Sequence, residues 1–399
     1  MLGEEIAGTQ VGQARSEALP RVSANGTYTR VDELQSVDFG GVQMELGTLD
    51  SYSAGVGVSQ LLYSGGRVGA ALRAAQLSRD YAGEARRGAE LALVRDIRIA
   101  FHGVLLAQER VAVAQASVDH LESLSKETGR KLDAGKASEF DLLSARVRLA
   151  NEKPVLIAAR SALALVRAAL ARLIMADEPD LAITGRLECV EWNPLPDALA
   201  EMALTGRAEI LQAESGVELS REAVTASRAG VRPNLGLFAN YTGANTYGFT
   251  DQGNDLEWHW NAGLALNWPL WDGGLTHHAV REKELDLEMR MVDLGDLKSA
   301  VRIEVRQGYL DLTYAREAVS ASRDTVQMAE EALKIANARY SSGLSTQLEY
   351  ADANLALRQA RLAYLVALAS HMDAMARLEY ACGIARPEWG VGMERSAAR

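Results

Sequence analysis

His277 and His278 stand side by side, as metal ligands can, but no suitably spaced His, Asp or Glu set follows them. No metal site is therefore expected. His102, His120, His259 and His371 are scattered. Cys189 and Cys382 are the only two cysteines, too few for a disulfide-framed scaffold or a Cys-rich zinc module; a disulfide between them and two buried thiols both remain open. The chain has no G-x-S-x-G word, no P-loop, no G-x-G-x-x-G between a strand and a helix, and no nucleophile–base constellation. The sequence thus predicts neither an enzyme nor a cofactor. What remains is acidic. Ser138-Glu139-Phe140-Asp141 and Thr346-Gln347-Leu348-Glu349 both match [ST]-x-x-[DE], the word with which a helix caps its own first turn. Asp352 lies one turn beyond Glu349 and has no capping duty, so it belongs either to a solvated face or to a function.

The elements that carry these residues are unusual. The chain has 399 residues, 48% hydrophobic and 24% charged, with a formal net charge of −11. That composition argues against wholesale disorder and against a general nucleic-acid binder. Residues 155–175 form the most apolar helical segment, but they carry Arg160, Arg167 and Arg172, which excludes a bilayer-spanning helix. A transmembrane β-barrel stays open, because alternating strands average to a mean hydropathy near zero. No proline lies between Pro20 and Pro154, so very long helices are allowed there.

An internal repeat organises the chain. Leu62-Tyr63-Ser64-Gly65-Gly66 returns as Leu270-Trp271-Asp272-Gly273-Gly274, 208 residues later, and Leu132-Asp133-Ala134-Gly135 returns as Tyr340-Ser341-Ser342-Gly343 at the same offset. Ile97 and Val305, Phe101 and Tyr309, Val111 and Val319, and Val118 and Val326 agree in between. Residues 20–28 match residues 233–241 at an offset of 213, with the difference absorbed in a polar, Gly-rich loop. This is one duplicated unit, not a short-period solenoid.

Each copy predicts two alternating segments, a Gly-Gly turn, a very long helix, a Gly turn and a second long helix. Trp258, Trp260, Ala262, Leu264, Leu266 and Trp268 alternate with His259, Asn261, Gly263, Ala265 and Asn267. That is a strand with one apolar and one polar or small face, of a length that suits a tilted bilayer crossing, with Trp at both interfaces. Its expected partner carries Leu235, Leu237, Ala239 and Tyr241. The first copy offers Tyr52, Ala54, Val56 and Val58. A soluble hairpin with one wet face fits the same pattern. Four strands cannot close a barrel, so either reading needs further copies or a packed partner. In the helices, Val94, Ile97, Phe101, Val104, Val111 and Val118 fall on a 3–4 spacing, as do Val305, Tyr309, Leu312, Val319 and Val326, which implies supercoiling. A helix over residues 66–134 would be roughly 100 Å long if continuous. A coiled-coil stalk and a wall of helices around a pore both fit. Gly135 and Gly343 suit left-handed helix ends, and Pro154 is expected to kink its helix.

Two β-hairpins and two long helical hairpins in tandem resemble the TolC-type outer-membrane efflux proteins. The resemblance spans roughly residues 13–383 and rests on Tyr63-Ser64-Gly65-Gly66, Trp271-Asp272-Gly273-Gly274, and Ala338-Arg339-Tyr340-Ser341-Ser342-Gly343-Leu344 running on to Asp352-Ala353. It implies a mainly α protein with a membrane β-barrel portion. A homotrimer would form one 12-stranded barrel and a periplasmic α-helical tunnel. The implied work is that of a passive exit duct in outer-membrane lipid, coupled through a periplasmic adaptor (membrane fusion protein) to an inner-membrane transporter. The implied gate is Tyr340 with Asp141, Glu349 and Asp352. The turns Gly135-Lys136 and Gly343-Leu344 would dock the adaptor, and Tyr241, Trp258, Trp260 and Trp268 would form the membrane girdle. One departure stands out: a basic residue that locks the gate in the family is Ser345 here. Competing readings are a periplasmic coiled-coil adaptor without a membrane barrel, which lacks the expected lipoyl-like segments, and an enzyme hidden in the linker 177–197, which is too short. The expected division is a truncated first helix over 1–21, a first β-hairpin over 22–63, a first helical hairpin over 64–176, a linker and helix over 177–232, a second β-hairpin over 233–271, a second helical hairpin over 272–383 and a tail over 384–399. Residues 1–5 do not read as a signal peptide. The second copy has a helical run over 197–229 before its strands where the first has only 3–19, so a precursor starting upstream with a signal peptide is expected.

Overall fold

A computed structural model describes residues 2–46, 48–176, 183–193, 195–245 and 256–384. The loop over 246–255, most of the linker start and the tail over 385–399 lie outside the described residues. The four long helices follow the repeat to the residue. Helix α2 (Arg67–Asp133) and helix α6 (Leu275–Ser341) are 67 residues each, and α3 (Glu139–Leu173) and α7 (Gln347–Ala381) are 35 each; all four pairs of bounds differ by 208. The chain forms two compact units. One contains residues 1–86 and 211–296, the other residues 87–210 and 297–399.

The first unit holds α1 (Leu2–Ser16) and one antiparallel sheet of β1 (Arg21–Arg30), β4 (Asp50–Tyr63), β5 (Asn234–Ala244) and β6 (Glu257–Asn267), in the order β1-β4-β5-β6. β1 and β6 are therefore open edges. Tyr241 faces Trp260, Ala239 faces Ala262 and Leu237 faces Leu264, the pairing the alternation predicts. β4 joins the two copies, with Val56 opposite Tyr241 and Val58 opposite Ala239, and a register shift between Leu61 and Tyr63 marks a bulge. Pro269 follows β6 and cannot donate to a ladder, so β6 ends before it. The long first loop contains a second, two-stranded hairpin of β2 (Gln35–Phe39) and β3 (Val42–Leu46), which the sequence reading did not anticipate.

Both strand-to-helix turns use a Gly pair at positive φ: Gly65 and Gly66 at 66° and 99°, Gly273 and Gly274 at 69° and 89°. Non-glycine residues rarely hold such angles. The next helix is then capped from the same repeat position. Ser64 Oγ accepts from Val68 N, and Asp272 Oδ2 accepts from Thr276 N.

In the second unit the equivalent positions of the two copies build equivalent seams. Ala114, Val118 and Leu156 pack with Val111 and Ala159; Val319, Ala367 and Leu368 pack with Tyr364 and Leu187. Val301, Val305, Leu312, Ala315 and Val319 are the buried residues of α6, a heptad-type stripe. Two expectations change here. The helical run over 197–229 is broken into α4 (Pro196–Gly206) and α5 (Ala208–Arg228). Arg207 between them is extended, pairs with Glu209 and Glu304, and has its guanidinium near the Tyr380 ring; this tertiary anchor overrides helix continuation. Helix α3 holds Pro154 in its interior. It also contains an 18-residue window of mean hydropathy 1.6, apolar enough to cross a bilayer by length and composition, contrary to the weight first given to its arginines. No disulfide forms between Cys189 and Cys382.

Candidate functional site

In the first unit the candidate surface is one face of the sheet. Alternation puts Val22 and Tyr28, Tyr52, Val56 and Val58, Leu237 and Tyr241, and Trp260, Leu264 and Leu266 on that face. All of these apolar side chains are exposed. The opposite face is polar or small apart from Phe238, which lies over Gly263, and there Asn240 Nδ2 donates to Asn261 Oδ1 across β5 and β6. Aromatic rings gather at the loop end of the apolar face. Tyr241 stacks on Trp258 at 4.9 Å, and Tyr28 meets Tyr52 at 5.1 Å. Trp258 lies over Gly243, where a Cβ would come within 2.8 Å of the indole. Trp268 sits past the other end of β6 and donates its indole N–H to Val231 O. The expected girdle residues thus occupy both ends of the strand, and Tyr28 and Tyr52 join them.

In the second unit the candidate surface is the pair of helical tips. Gly135 and Gly343 take φ of 72° and 71°. Each closes its helix with the same two bonds: Gly135 N to Leu132 O and Lys136 N to Lys131 O, Gly343 N to Tyr340 O and Leu344 N to Arg339 O. These are Schellman ends. Gly135, Lys136, Gly343 and Leu344 are exposed. The chain then re-enters a helix through the predicted caps. Asp141 makes the full reciprocal box: Ser138 Oγ accepts from Asp141 N at 3.1 Å, and Asp141 Oδ2 accepts from Ser138 N at 3.0 Å. The bonds from Ser138 hold the Asp141 carboxyl below its ordinary pKa. Glu349 makes half a box, with its backbone N donating to Thr346 Oγ. Its side chain is exposed, as is Asp352. Asp352 lines a cavity of about 360 Å³ together with His120, Arg148, Glu152, Tyr350 and Arg358.

Tyr340 does not stand alone. Its ring stacks on Tyr350 at 5.5 Å with planes 13° apart, and Lys131 Nζ lies 4.9 Å from its centroid. Tyr350 Oη is 3.1 Å from His120 Nε2. Arg358 on α7 pairs with the buried Glu152 on α3. Sequence reasoning missed Lys131, His120, Tyr350, Glu152 and Arg358. The repeat held a signal for the tyrosine pair: Tyr340 and Tyr350 correspond to Leu132 and Leu142 in the first copy. Among the described residues no group of three or more His, Cys, Asp or Glu is placed to hold a metal ion.

The sequence profile of the outer membrane efflux protein family matches residues 2–174 and 199–383. The chain is 26% identical over 291 residues to the alkaline protease secretion protein AprF of Pseudomonas aeruginosa, covering 71% of this chain and 60% of that one. It is 27% identical over 334 residues to the cobalt-zinc-cadmium resistance protein CzcC of Cupriavidus metallidurans, covering 80% and 74%. A crystallised membrane protein from Pseudomonas aeruginosa shares the fold with a TM-score of 0.79 at 23% identity, over 96% of this chain and 86% of that one.

Proposed function

The chain belongs to the outer membrane efflux protein family, and from that premise we propose that it is the trimeric exit duct of a tripartite efflux or secretion system. The observation that carries this reading is the four-stranded sheet with an exposed apolar face and two open edges. Such a sheet is unstable alone in water and is satisfied by closure in lipid. Three copies supply 12 strands, an even number with no edge left over. The polar face with Asn240 and Asn261 then lines the lumen.

The long helices of the three copies would form the periplasmic tunnel. Exposed apolar side chains of α3, among them Val155, Ile157 and Leu165, would be covered by a neighbouring copy. The turns at Gly135-Lys136 and Gly343-Leu344 would receive a periplasmic adaptor, which couples the duct to an inner-membrane transporter. Tyr340, Asp141, Glu349 and Asp352 would line the closed aperture. The names of the relatives point to a secreted protease in one case and metal ions in another, so the shared element is the duct and not the cargo. Transport here is geometry and charge, with the driving energy supplied elsewhere.

The test is assembly. Extracted from outer membranes in mild detergent, the protein should run as a three-chain particle by native mass spectrometry and form discrete conducting pores in planar bilayers. A monodisperse monomer in detergent-free buffer, with its helical circular dichroism intact, refutes the reading.

A further inference from the structure

Inside the second helical hairpin, α7 buries an imidazole that the fold does not ask for. His371 is 1% exposed, its Nδ1 makes no hydrogen bond, and its Nε2 is aimed at the sulfur of Cys189 at 3.8 Å. The first copy has Leu163 at the equivalent position, so an apolar side chain serves the packing. A buried polar atom without a partner is destabilising, and a missing ion is one of the reasons a native protein keeps one.

The linker brings Cys189 to this ring. Gln108 Nε2 on α2 donates to Ile183 O, a Cβ at Gly185 would come within 3.1 Å of the Phe101 ring, Leu187 packs on Val319, Ala367 and Leu368, and Arg316 on α6 donates to Asn193 Oδ1. The residues on both sides of Cys189 are thus tied down. The cysteine itself is exposed, which leaves an entry path to the buried nitrogen.

We propose that Cys189 Sγ and His371 Nε2 form a two-ligand site for a soft, closed-shell monovalent cation, Cu(I) or Ag(I), which clips the linker to α7. The site is a property of these side chains and does not rest on the duct reading. Ions of this class are satisfied by two ligands in a linear or bent arrangement, so the lack of a three-ligand cluster among the described residues does not count against one. Thiolate sulfur selects such soft ions, and imidazole suits copper. With metal–sulfur and metal–nitrogen bonds of roughly 2.3 and 2.0 Å, as for zinc, the two donors stand about 3.5 Å apart at a tetrahedral angle and about 4.3 Å apart in line. The observed 3.8 Å lies between these limits, and a small rotation of the exposed thiol reaches the linear form.

Charge decides which ion fits. Burial, with Arg316 beside the ring, holds His371 below the ordinary histidine pKa, so the imidazole is neutral, the form that ligates. Burial raises the Cys189 thiol above its ordinary pKa, with Arg316 opposing and Glu191 adding to the shift. The thiol is therefore protonated at neutral pH, and each ion bound replaces its proton, which passes to water. Thiolate and monovalent cation then cancel, and Arg316 and Glu191 stay balanced. A divalent ion would leave a net positive charge next to Arg316. Nδ1 also lacks the acceptor that raises the basicity of zinc-bound histidines. Both features disfavour zinc.

The experiment is a competition titration of the full chain in detergent with Ag(I), in chloride-free buffer at about pH 6, 7 and 8, on wild type, Cys189→Ser and His371→Leu. His371→Leu installs the residue the repeat already accommodates. Wild type should hold one more Ag(I) per chain than Cys189→Ser, with an affinity that rises about tenfold per pH unit as one proton is displaced. His371→Leu should weaken that ion by more than the roughly 10–100-fold that loss of an outer-shell partner costs. X-ray absorption on wild type should show one sulfur and one nitrogen around silver. Hydrogen exchange over residues 183–193 should slow on Ag(I) addition in wild type and in neither variant. Zn(II) should bind wild type and Cys189→Ser alike. Equal affinity in wild type and His371→Leu, or a silver shell without nitrogen, means capture by an exposed thiol only and overturns the site. No extra ion in wild type over Cys189→Ser overturns it as well, and Zn(II) held through the same pair as tightly as Ag(I) overturns the choice of a monovalent ion.

Discussion

Met175 does with a full side chain what glycine does at three equivalent helix ends. Its φ is 52°, against 72°, 71° and 70° at Gly135, Gly343 and Gly383. The bonding is the same: Met175 N to Arg172 O and Ala176 N to Ala171 O repeat the pair seen at each glycine. Gly383 is its counterpart 208 residues on, so the first copy carries a left-handed strain that the second avoids. The strain costs about 1–2 kcal/mol for an L-residue, and the greater freedom of glycine in the unfolded chain returns about 0.4–1 kcal/mol of that. Because the Met175 side chain is 90% exposed, no packing is lost with it. Met175→Gly should therefore stabilise the protein by about 0.5–1 kcal/mol, read as a higher thermal midpoint in detergent. Met175→Ala keeps the strain and should leave the midpoint unchanged; an equal rise in both variants would show that the side chain and not the backbone was at fault.

At the scale of elements, the two faces of β6 should behave oppositely. Leu264 sits mid-strand opposite Leu237 on the apolar face, whereas Asn261 is on the other face, bonded to Asn240. If the apolar face meets lipid, Leu264→Arg costs about 2–4 kcal/mol near the bilayer midplane and should reduce the yield of heat-resistant oligomer from membranes. Asn261→Arg should assemble normally and shift ion selectivity instead. A soluble hairpin would tolerate Leu264→Arg, since that side chain would already face water. Both faces were legible in the sequence, because period-2 alternation survives in Trp258, Trp260, Leu264 and Leu266 without any tertiary knowledge. The ends of the four long helices were legible too, since Gly135, Gly343, Ser138 and Thr346 act locally. The β2–β3 hairpin was not read, although Val37, Phe39, Val42, Met44 and Leu46 alternate with polar residues around Gly40-Gly41. Nor was the break at Arg207, which depends on Glu304 from a distant helix, nor the aromatic stack at Tyr340, since a helical period cannot say that His120 will meet Tyr350 across 230 positions.

At the scale of the whole molecule, symmetry decides what the acidic tip residues do. In a trimeric duct a threefold axis would bring three copies of Glu349 and Asp352 around one opening. Six carboxylates in a narrow ring repel one another, bind cations and favour their passage. The single chain offers a local alternative. Glu349 belongs to a helix start, where its backbone N donates to Thr346 Oγ, and Asp352 shares a cavity with Arg148 and Arg358, so both carboxylates could serve the tip itself. The two accounts diverge in the variant Glu349→Gln/Asp352→Asn. The cap bond uses the backbone of residue 349 and survives, so fold and oligomer should be retained under either account. A ring of carboxylates predicts weaker block by divalent cations and a reversal potential moved toward non-selectivity in planar-bilayer recordings. Purely local roles predict wild-type block and reversal potential, with at most a few tenths to about 1 kcal/mol lost at the helix start. Asp352→Asn alone should carry much of the change, because Asp141 in the first copy already spends its carboxylate on a reciprocal cap and the equivalent of Asp352 there is Ser144, which leaves the second hairpin as the charged lip.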